Sequence, residues 1–308
     1  MTVPYAFLFP GQGSQAVGMG RSLHDASASA RARFEQADAV LGRALSTLCF
    51  EGSEEELKET ANTQPALFVC SAVAADALAE RDIRPACVAG HSLGEYSALY
   101  AAGVLDFETG LRLVAARGRA MSEAGRTAPG AMAALIGLDI EQVRAICEQA
   151  TEGDDLAVVA NDNSPEQKVI SGTPAAIERA CGLARAAGAK RALPLPVSGA
   201  FHSPLVEQAR LVMAEQLAGV TFQAPSCPCI SQVTATALTD PEEIRAHLIR
   251  QITSPVRWVE STRHLIESLG LKAGLEVGPG KVLAGLVKRI DKDFCVQAAG
   301  TAEEIAAL

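Results

Sequence analysis

The sequence is poor in aromatic residues, carries no excess of positive charge and has no long apolar run, and each shortage excludes something. Only 4% of its 308 residues are aromatic while 48% are hydrophobic, so the core is expected to be aliphatic, built from close helix and sheet layers. A formal net charge of -9 at pH 7 argues against a nucleic-acid partner, because phosphate binding needs a basic footprint. The longest apolar runs, such as Ala131 to Leu138, fall short of the roughly 20 residues of a spanning helix, so no membrane segment is expected. No positive leader precedes an apolar stretch at the start of the chain, so no signal peptide is expected and the cytoplasm is the expected compartment. The eight cysteines are scattered, and Cys227 and Cys229 are the one close pair. A single C-x-C with no second pair or clustered histidines is weak evidence for a metal site; buried free thiols in a reducing compartment are the preferred reading.

What is present alternates. Tyr5 to Pro10 reads as a buried strand running into the glycine-rich turn Gly11-Gln12-Gly13-Ser14-Gln15. Ser53-Glu54-Glu55-Glu56 has capping-box spacing, Pro65 to Glu80 reads as an alanine-rich helix, Cys87 to Gly90 as a strand, and Leu93 to Ala101 and Phe107 to Ala124 as helices. From Met132 to Val197 the pattern becomes strand, helix, strand, strand, helix, strand, the split order of a ferredoxin-like unit, with loop-like edges at Gly125 to Gly130 and Pro194 to Gly199. Beyond it come a helix at Pro204 to Leu217, a strand at Cys229 to Val233, a helix begun by Asp240-Pro241-Glu242-Glu243, a helix at Val256 to Leu269, a strand at Leu275 to Val277 and a helix at Lys281 to Ile290. The expected fold is therefore α/β: residues 1–126 and 199–308 form a large catalytic domain on a mostly parallel sheet, and residues 127–198 an inserted ferredoxin-like subdomain.

Gly90-His91-Ser92-Leu93-Gly94 matches G-x-S-x-G between a strand and a helix, the context that motif requires. A sharp turn there would lift the Ser92 hydroxyl above the sheet, with the helix N-terminus supplying free N–H groups where an oxyanion develops. His91 is adjacent and its side chain should point elsewhere. A serine nucleophile needs a base. His247 and His264 fall in amphipathic helices and His24 in a polar segment, ordinary places for satisfied histidines. His202 lies in the loop Ser198-Gly199-Ala200-Phe201-His202-Ser203-Pro204, where reacting groups tend to sit. No third member of a triad stands out by spacing among acids such as Asp106, Asp139 and Asp162. Arg117 sits on the shoulder of an apolar helical stripe made by Phe107, Leu111, Val114, Gly118 and Met121. An arginine there either snorkels, pairs with a buried acid or meets an anionic ligand.

Taken together, Gly11-Gln12-Gly13-Ser14-Gln15, Gly90 to Tyr96, Gly199-Ala200-Phe201-His202-Ser203, Val277-Gly278-Pro279-Gly280, Ala160 to Gly172 and Gln251 to Trp258 resemble the malonyl-CoA:acyl carrier protein transacylases over nearly the whole chain. The resemblance implies an α/β-hydrolase-like core carrying the insertion. It implies Ser92 as nucleophile, His202 as base held by the main-chain carbonyl of Gln251, an oxyanion hole from the N–H groups of Gln12 and Leu93, and Arg117 as a bidentate clamp on a malonyl carboxylate. Asn161 is expected to shape or hydrogen-bond the acyl site. Relatives that take methylmalonyl groups carry Tyr-Ala-Ser-His where this chain has Gly-Ala-Phe-His, so Phe201 should crowd an α-methyl branch. Malonyl-CoA and an acyl carrier protein are then the substrates, with no tightly bound cofactor and no metal, in fatty acid or polyketide synthesis, and the enzyme is expected to be a monomer. An acidic carrier would need a local basic patch on this acidic chain; Lys190, Arg191, Lys281, Lys288 and Arg289 are the candidates. Two rival readings share parts of this pattern: a serine hydrolase, which needs the elbow and base but not Arg117, and a non-catalytic carrier-binding scaffold, which needs none of the three.

Overall fold

The structure, a computed structural model, describes residues 4–197 and 199–308. Met1 to Val3 and Ser198 lie outside the described residues, and with them the stretch read for a leader and the serine at the expected edge of the insertion. Ten strands are present among the described residues: β1 (Tyr5–Phe9), β2 (Pro85–Gly90), β3 (Ala131–Ile136), β4 (Ala157–Ser164), β5 (Gln167–Gly172), β6 (Arg191–Pro194), β7 (Cys229–Ile230), β8 (Ala237–Leu238), β9 (Ala273–Val277) and β10 (Cys295–Ala299). They form a six-stranded sheet in the order β10-β9-β1-β2-β7-β8, parallel except for β8, and a four-stranded antiparallel sheet in the order β4-β5-β3-β6. The second order is that of a ferredoxin-like unit.

β1 shows why the large sheet is covered on both faces. Phe7 and Phe9 point into one core with the helices Thr60–Glu80 and Phe107–Thr127, while Ala6 and Leu8 point into another with Trp258, Leu283 and Leu286. A strand apolar at every position has no solvent face and belongs at the centre of a parallel sheet. The small sheet has two different faces. Ala133 and Leu135 pack under its own helices, Ile140–Ala150 and Pro174–Ala186, whereas Met132, Ala134 and Val169 join the core of the large sheet. The sheets are also joined by backbone. The Val256 N–H donates to the Ala160 carbonyl (2.8 Å), and the Asp162 N–H donates to the Val256 carbonyl (2.9 Å), so β4 gains a parallel partner from the large unit. No helix among the described residues is long and apolar enough to cross a membrane.

Several expected boundaries move. The helix expected at Pro65 begins at Thr60 and carries Pro65 inside it. Proline has no N–H to give the Ala61 carbonyl, and that carbonyl accepts instead from Arg43 Nη2 at 3.4 Å. The strand expected over Cys229 to Val233 shrinks to Cys229–Ile230, and that over Arg191 to Val197 ends at Pro194. The helix expected from Val256 starts at Trp258, because Val256 is engaged by β4. Residues 21–51, for which no element was expected, hold three helices, Arg21–Ala26, Ala28–Leu41 and Leu45–Glu51. Of the middle one only Ala30, Phe34 and Ala37 are buried, a stripe too narrow to read amid its charges.

A β-carbon on Gly94 would lie 2.0 Å from the Phe9 carbonyl oxygen, so the turn after β2 can press against β1 only if position 94 is glycine. Gly182, exposed on the helix Pro174–Ala186, has nothing within 4 Å. Gly94→Ala is expected to destabilise the fold by about 1–3 kcal/mol or more. Gly182→Ala should stabilise it by about 0.5–1 kcal/mol, since it removes only unfolded-state freedom. Denaturant midpoints that move in the same direction for both would contradict this packing.

Candidate active site

At the carboxyl end of β2 the chain turns into the helix Gly94–Ala101, and Ser92 occupies the turn at φ 52°. A non-glycine residue held there is strained and must be over-determined by its surroundings. They are visible: the His91 N–H donates to the Phe9 carbonyl (3.0 Å), the Gly94 N–H to the His91 carbonyl (2.9 Å), and the Ser92 N–H to Gln232 Oε1 (2.8 Å). His91 points away from the hydroxyl. Its Nε2 donates to Asn163 Oδ1 at 2.8 Å and its ring packs on Trp258, so it ties the turn to β4.

Although 110 residues away in sequence, His202 meets Ser92: Nε2 lies 2.8 Å from Ser92 Oγ. It is buried and also held at positive φ, 57°. Its Nδ1 faces two carbonyls, of Gln251 at 3.2 Å and of Ser254 at 3.0 Å. Carbonyls only accept, so Nδ1 carries the proton and Nε2 is free to accept from the serine hydroxyl. Burial pushes the imidazole down to about 3, reinforced by the charge of Arg117 and by His91, with the two carbonyl bonds opposing. The ring is therefore neutral at physiological pH, with Nε2 free to accept a proton.

Arg117 is 1% exposed. Nη1 donates to Gln64 Oε1 (2.9 Å), and Nη2 to both Ser92 Oγ (3.0 Å) and Gln251 Oε1 (3.0 Å). Its Nε has no partner, and no carboxylate lies within ion-pair distance of it among the described residues. The arginine neither snorkels nor pairs with a buried acid. It is a desolvated cation with an unused donor, beside the hydroxyl.

These groups line one cavity of about 530 Å³. Met121, Met132, Val169, Leu195 and Phe201 give it an apolar wall; Gln12, Leu93 and Asn161 line it too. The Gly11 loop lies directly on the elbow, since a β-carbon at Gly11 would stand 2.4 Å from the His91 carbonyl oxygen. Neither the Gln12 nor the Leu93 N–H has a hydrogen-bond acceptor among the described residues, which leaves both donors available to a ligand. A larger cavity, about 760 Å³, opens at the start of β2 among Asp76, Arg84 and Tyr100 and contains none of these groups.

Sequence reasoning missed the Ser254 carbonyl, the carboxamides of Gln64, Gln232 and Asn163, and the side-chain role of Gln251. Each sits among other polar residues, as in Thr60-Ala61-Asn62-Thr63-Gln64 and Asn161-Asp162-Asn163-Ser164, so nothing in the sequence set it apart. The five basic residues considered for carrier binding are exposed and line no part of the cavity. Lys281 pairs with Glu304 (3.0 Å), Lys288 and Arg289 close the helix Val282–Ile290, and Lys190 and Arg191 lead into β6. Lys58 lines the cavity, bonded to Glu54 at 2.8 Å, and was not anticipated.

A base that is active when deprotonated, with a depressed pKa, stays active down to low pH. Phosphonylation of Ser92 by an uncharged serine-directed reagent should therefore be flat from about pH 5 to about 8 and fall only below about pH 4, and His202→Ala should slow it by ~10²–10⁴. A limb near pH 6.5 in the stopped-flow rate would show that the imidazole is not desolvated.

The sequence pattern of the acyl transferase domain family matches residues 6–305. The malonyl CoA-acyl carrier protein transacylase of Bacillus subtilis is 46% identical over 287 residues, covering 93% of this chain and 90% of that protein. The solved malonyl CoA-acyl carrier protein transacylase of Coxiella burnetii is 40% identical with a TM-score of 0.96, covering 100% of this chain and 97% of that one. A malonyl-transacylase solved in complex with its type II PKS acyl-carrier protein is 42% identical with a TM-score of 0.95, covering 99% of this chain and 98% of that one.

Proposed function

This chain belongs to the acyl transferase domain family, among the malonyl CoA-acyl carrier protein transacylases, and on that premise we propose that it moves malonyl groups from malonyl-CoA to the phosphopantetheine thiol of an acyl carrier protein through an ester on Ser92. The observation that carries the reading is Arg117, a buried guanidinium with no carboxylate in ion-pair contact among the described residues, an idle Nε, and its Nη2 3.0 Å from the serine hydroxyl. A substrate with a free carboxylate supplies the missing anion and can engage the guanidinium by two parallel hydrogen bonds.

In the first half-reaction Ser92 Oγ attacks the thioester carbonyl as His202 Nε2 takes its proton. The N–H groups of Gln12 and Leu93 receive the oxyanion, each contributing about 3 kcal/mol. On collapse the C–S bond breaks, the imidazolium returns its proton to the departing CoA sulfur, and malonyl-serine remains. In the second half-reaction the carrier thiol gives its proton to His202 and attacks the ester; collapse breaks the C–O bond and returns the proton to Ser92 Oγ. CoA and the carrier are both substrates, and the scheme uses no bound cofactor or metal. Residues 1–126 and 199–308 form the catalytic unit in this reading, residues 127–198 the inserted one, and Phe201 limits room for an α-methyl branch. The product serves fatty acid or polyketide synthesis, and the working form is a monomer.

Mixing with malonyl-CoA alone should give a stable mass gain of one malonyl group, lost in Ser92→Ala. No gain on the wild type, or a gain that survives Ser92→Ala, would reject the ester. Arg117→Ala should abolish the preference for malonyl- over acetyl-CoA; malonyl transfer left intact would reject the clamp and favour a general hydrolase. For carrier docking, Lys190→Glu with Arg191→Glu, and Lys288→Glu with Arg289→Glu, should raise the KM for the carrier but not for malonyl-CoA. An unchanged carrier KM would remove these residues from the docking surface.

A further inference from the structure

Behind the serine lies a buried acid that the mechanism above does not use. Glu95, in the first turn of the helix after the elbow, is 6% exposed and makes no ion pair among the described residues. Its Oε2 lies 2.6 Å from Gln251 Nε2, which also donates to the Ser92 carbonyl at 3.0 Å, while Gln251 Oε1 accepts from Arg117 Nη2 at 3.0 Å. One carboxamide thus spans a buried anion and a buried cation. We propose that Glu95 is a positioning residue for malonyl selectivity: its carboxylate fixes which end of the Gln251 amide faces Arg117 and so holds the guanidinium at the place where it meets the substrate's free acid.

The argument is one of donors and acceptors. A carboxylate and a carbonyl only accept, and a guanidinium only donates. With Glu95 ionised, the amide has one acceptable orientation, NH₂ toward Glu95 and the Ser92 carbonyl, oxygen toward Arg117. Rotating it by half a turn would set its oxygen against Glu95 and the carbonyl and its NH₂ against the guanidinium. Without the charge one of the three constraints on the amide is gone, the two orientations are less unequal, and the acceptor facing Arg117 is held less firmly. Gln251 also offers its backbone carbonyl to His202, so the residue that Glu95 orients touches the base, the clamp and the nucleophile's carbonyl.

Burial raises the Glu95 carboxyl to about 7, with the Gln251 bond, the Gln232 backbone and the charge of Arg117 opposing the rise. The titratable groups facing it are Arg117 from the helix Phe107–Thr127, Cys229 from β7, and Tyr96 on its own helix. Cys229 and Tyr96 are both pushed upward and stay neutral. A device that works when ionised should therefore switch on as pH rises through about 7, in a range where His202 is already neutral.

The inference rests on the malonyl-ester reading, and the test separates the two. Acylation of the full-length enzyme is followed with malonyl-CoA and with acetyl-CoA, which lacks the carboxylate, from about pH 5.5 to about 8.5. Expected is a malonyl-over-acetyl preference in kcat/KM that rises through about pH 7, lost at every pH in Arg117→Ala. Glu95→Gln keeps the shape but offers donor or acceptor equally; it should cost malonyl roughly tenfold at pH 8, leave acetyl within about twofold, and flatten the pH dependence. Added to Arg117→Ala, it should cost nothing more. Equal losses on both substrates, or no loss on either, would overturn the proposal. Should Glu95→Gln melt far below the wild type, the wild-type profile decides, because a preference constant across pH overturns it equally. If Arg117→Ala keeps the preference, the clamp itself has failed, and that result is distinct.

Discussion

A guanidinium held out of water with no carboxylate in contact with it among the described residues is the constraint on which the rest of this site depends. The desolvation penalty of such an ion is several kcal/mol, and it is tolerated only where hydrogen bonds replace its hydration. Here the replacements are neutral: the carboxamides of Gln64 and Gln251 and the hydroxyl of Ser92. Neutral acceptors hold Arg117 in place without discharging it. The positive charge stays beside the cavity, with two of the five N–H donors unused, that of Nε among them, and any anion that enters gains what the protein has withheld.

The same charge decides how the base is built. His202 is oriented by two carbonyls where a serine–histidine pair often has a carboxylate. A carboxylate at that position would stabilise imidazolium better, but it would share a dry pocket with Arg117. The nearest strong cation would then bind it, and any entering anion would compete with a resident one. Carbonyls orient the ring and fix its tautomer without offering that competitor. The cost appears in basicity: burial and the neighbouring guanidinium push the imidazole far down, so it is a weak base that is nevertheless always in the right form. Glu95 fits the same logic, because its charge acts on Arg117 across an amide and not by contact.

How much of this was legible in the sequence follows from how local each feature is. The elbow is written in five consecutive residues, because a strand, a strained turn and a helix start must follow one another; the capping box at Ser53 and Glu56 is written in four, and both of its hydrogen bonds form. The helices between Arg21 and Glu51 were not legible, because their buried stripes are narrow and mixed with charge. β8, two residues long, and β10, with Cys295 and Gln297 exposed, carry too little pattern to be read, and β7 was read but drawn longer than its two residues. The polar tier behind the serine was illegible for a different reason. Gln64, Glu95, Gln232 and Gln251 come from four separate stretches of chain, and a lone buried glutamine looks in sequence like any other glutamine. Resemblance reached the Gln251 carbonyl; only coordinates show that its side chain does as much.

The coupling between the two sheets follows from where Val256 sits. Its amide and carbonyl close the edge of β4, and two residues before it Ser254 offers the carbonyl that holds His202. On the other side of the same strand edge, Asn163 holds His91, the residue before Ser92. The small sheet therefore grips the active site twice, once beside the serine and once behind the histidine, and each grip is a short chain of hydrogen bonds anchored in β4. A slip of that strand by a single residue would put Ala160 and Asp162 out of reach of Val256 and loosen Ser92 and His202 together, which is why a site assembled from both sheets depends on backbone pairing that neither sheet needs for its own core.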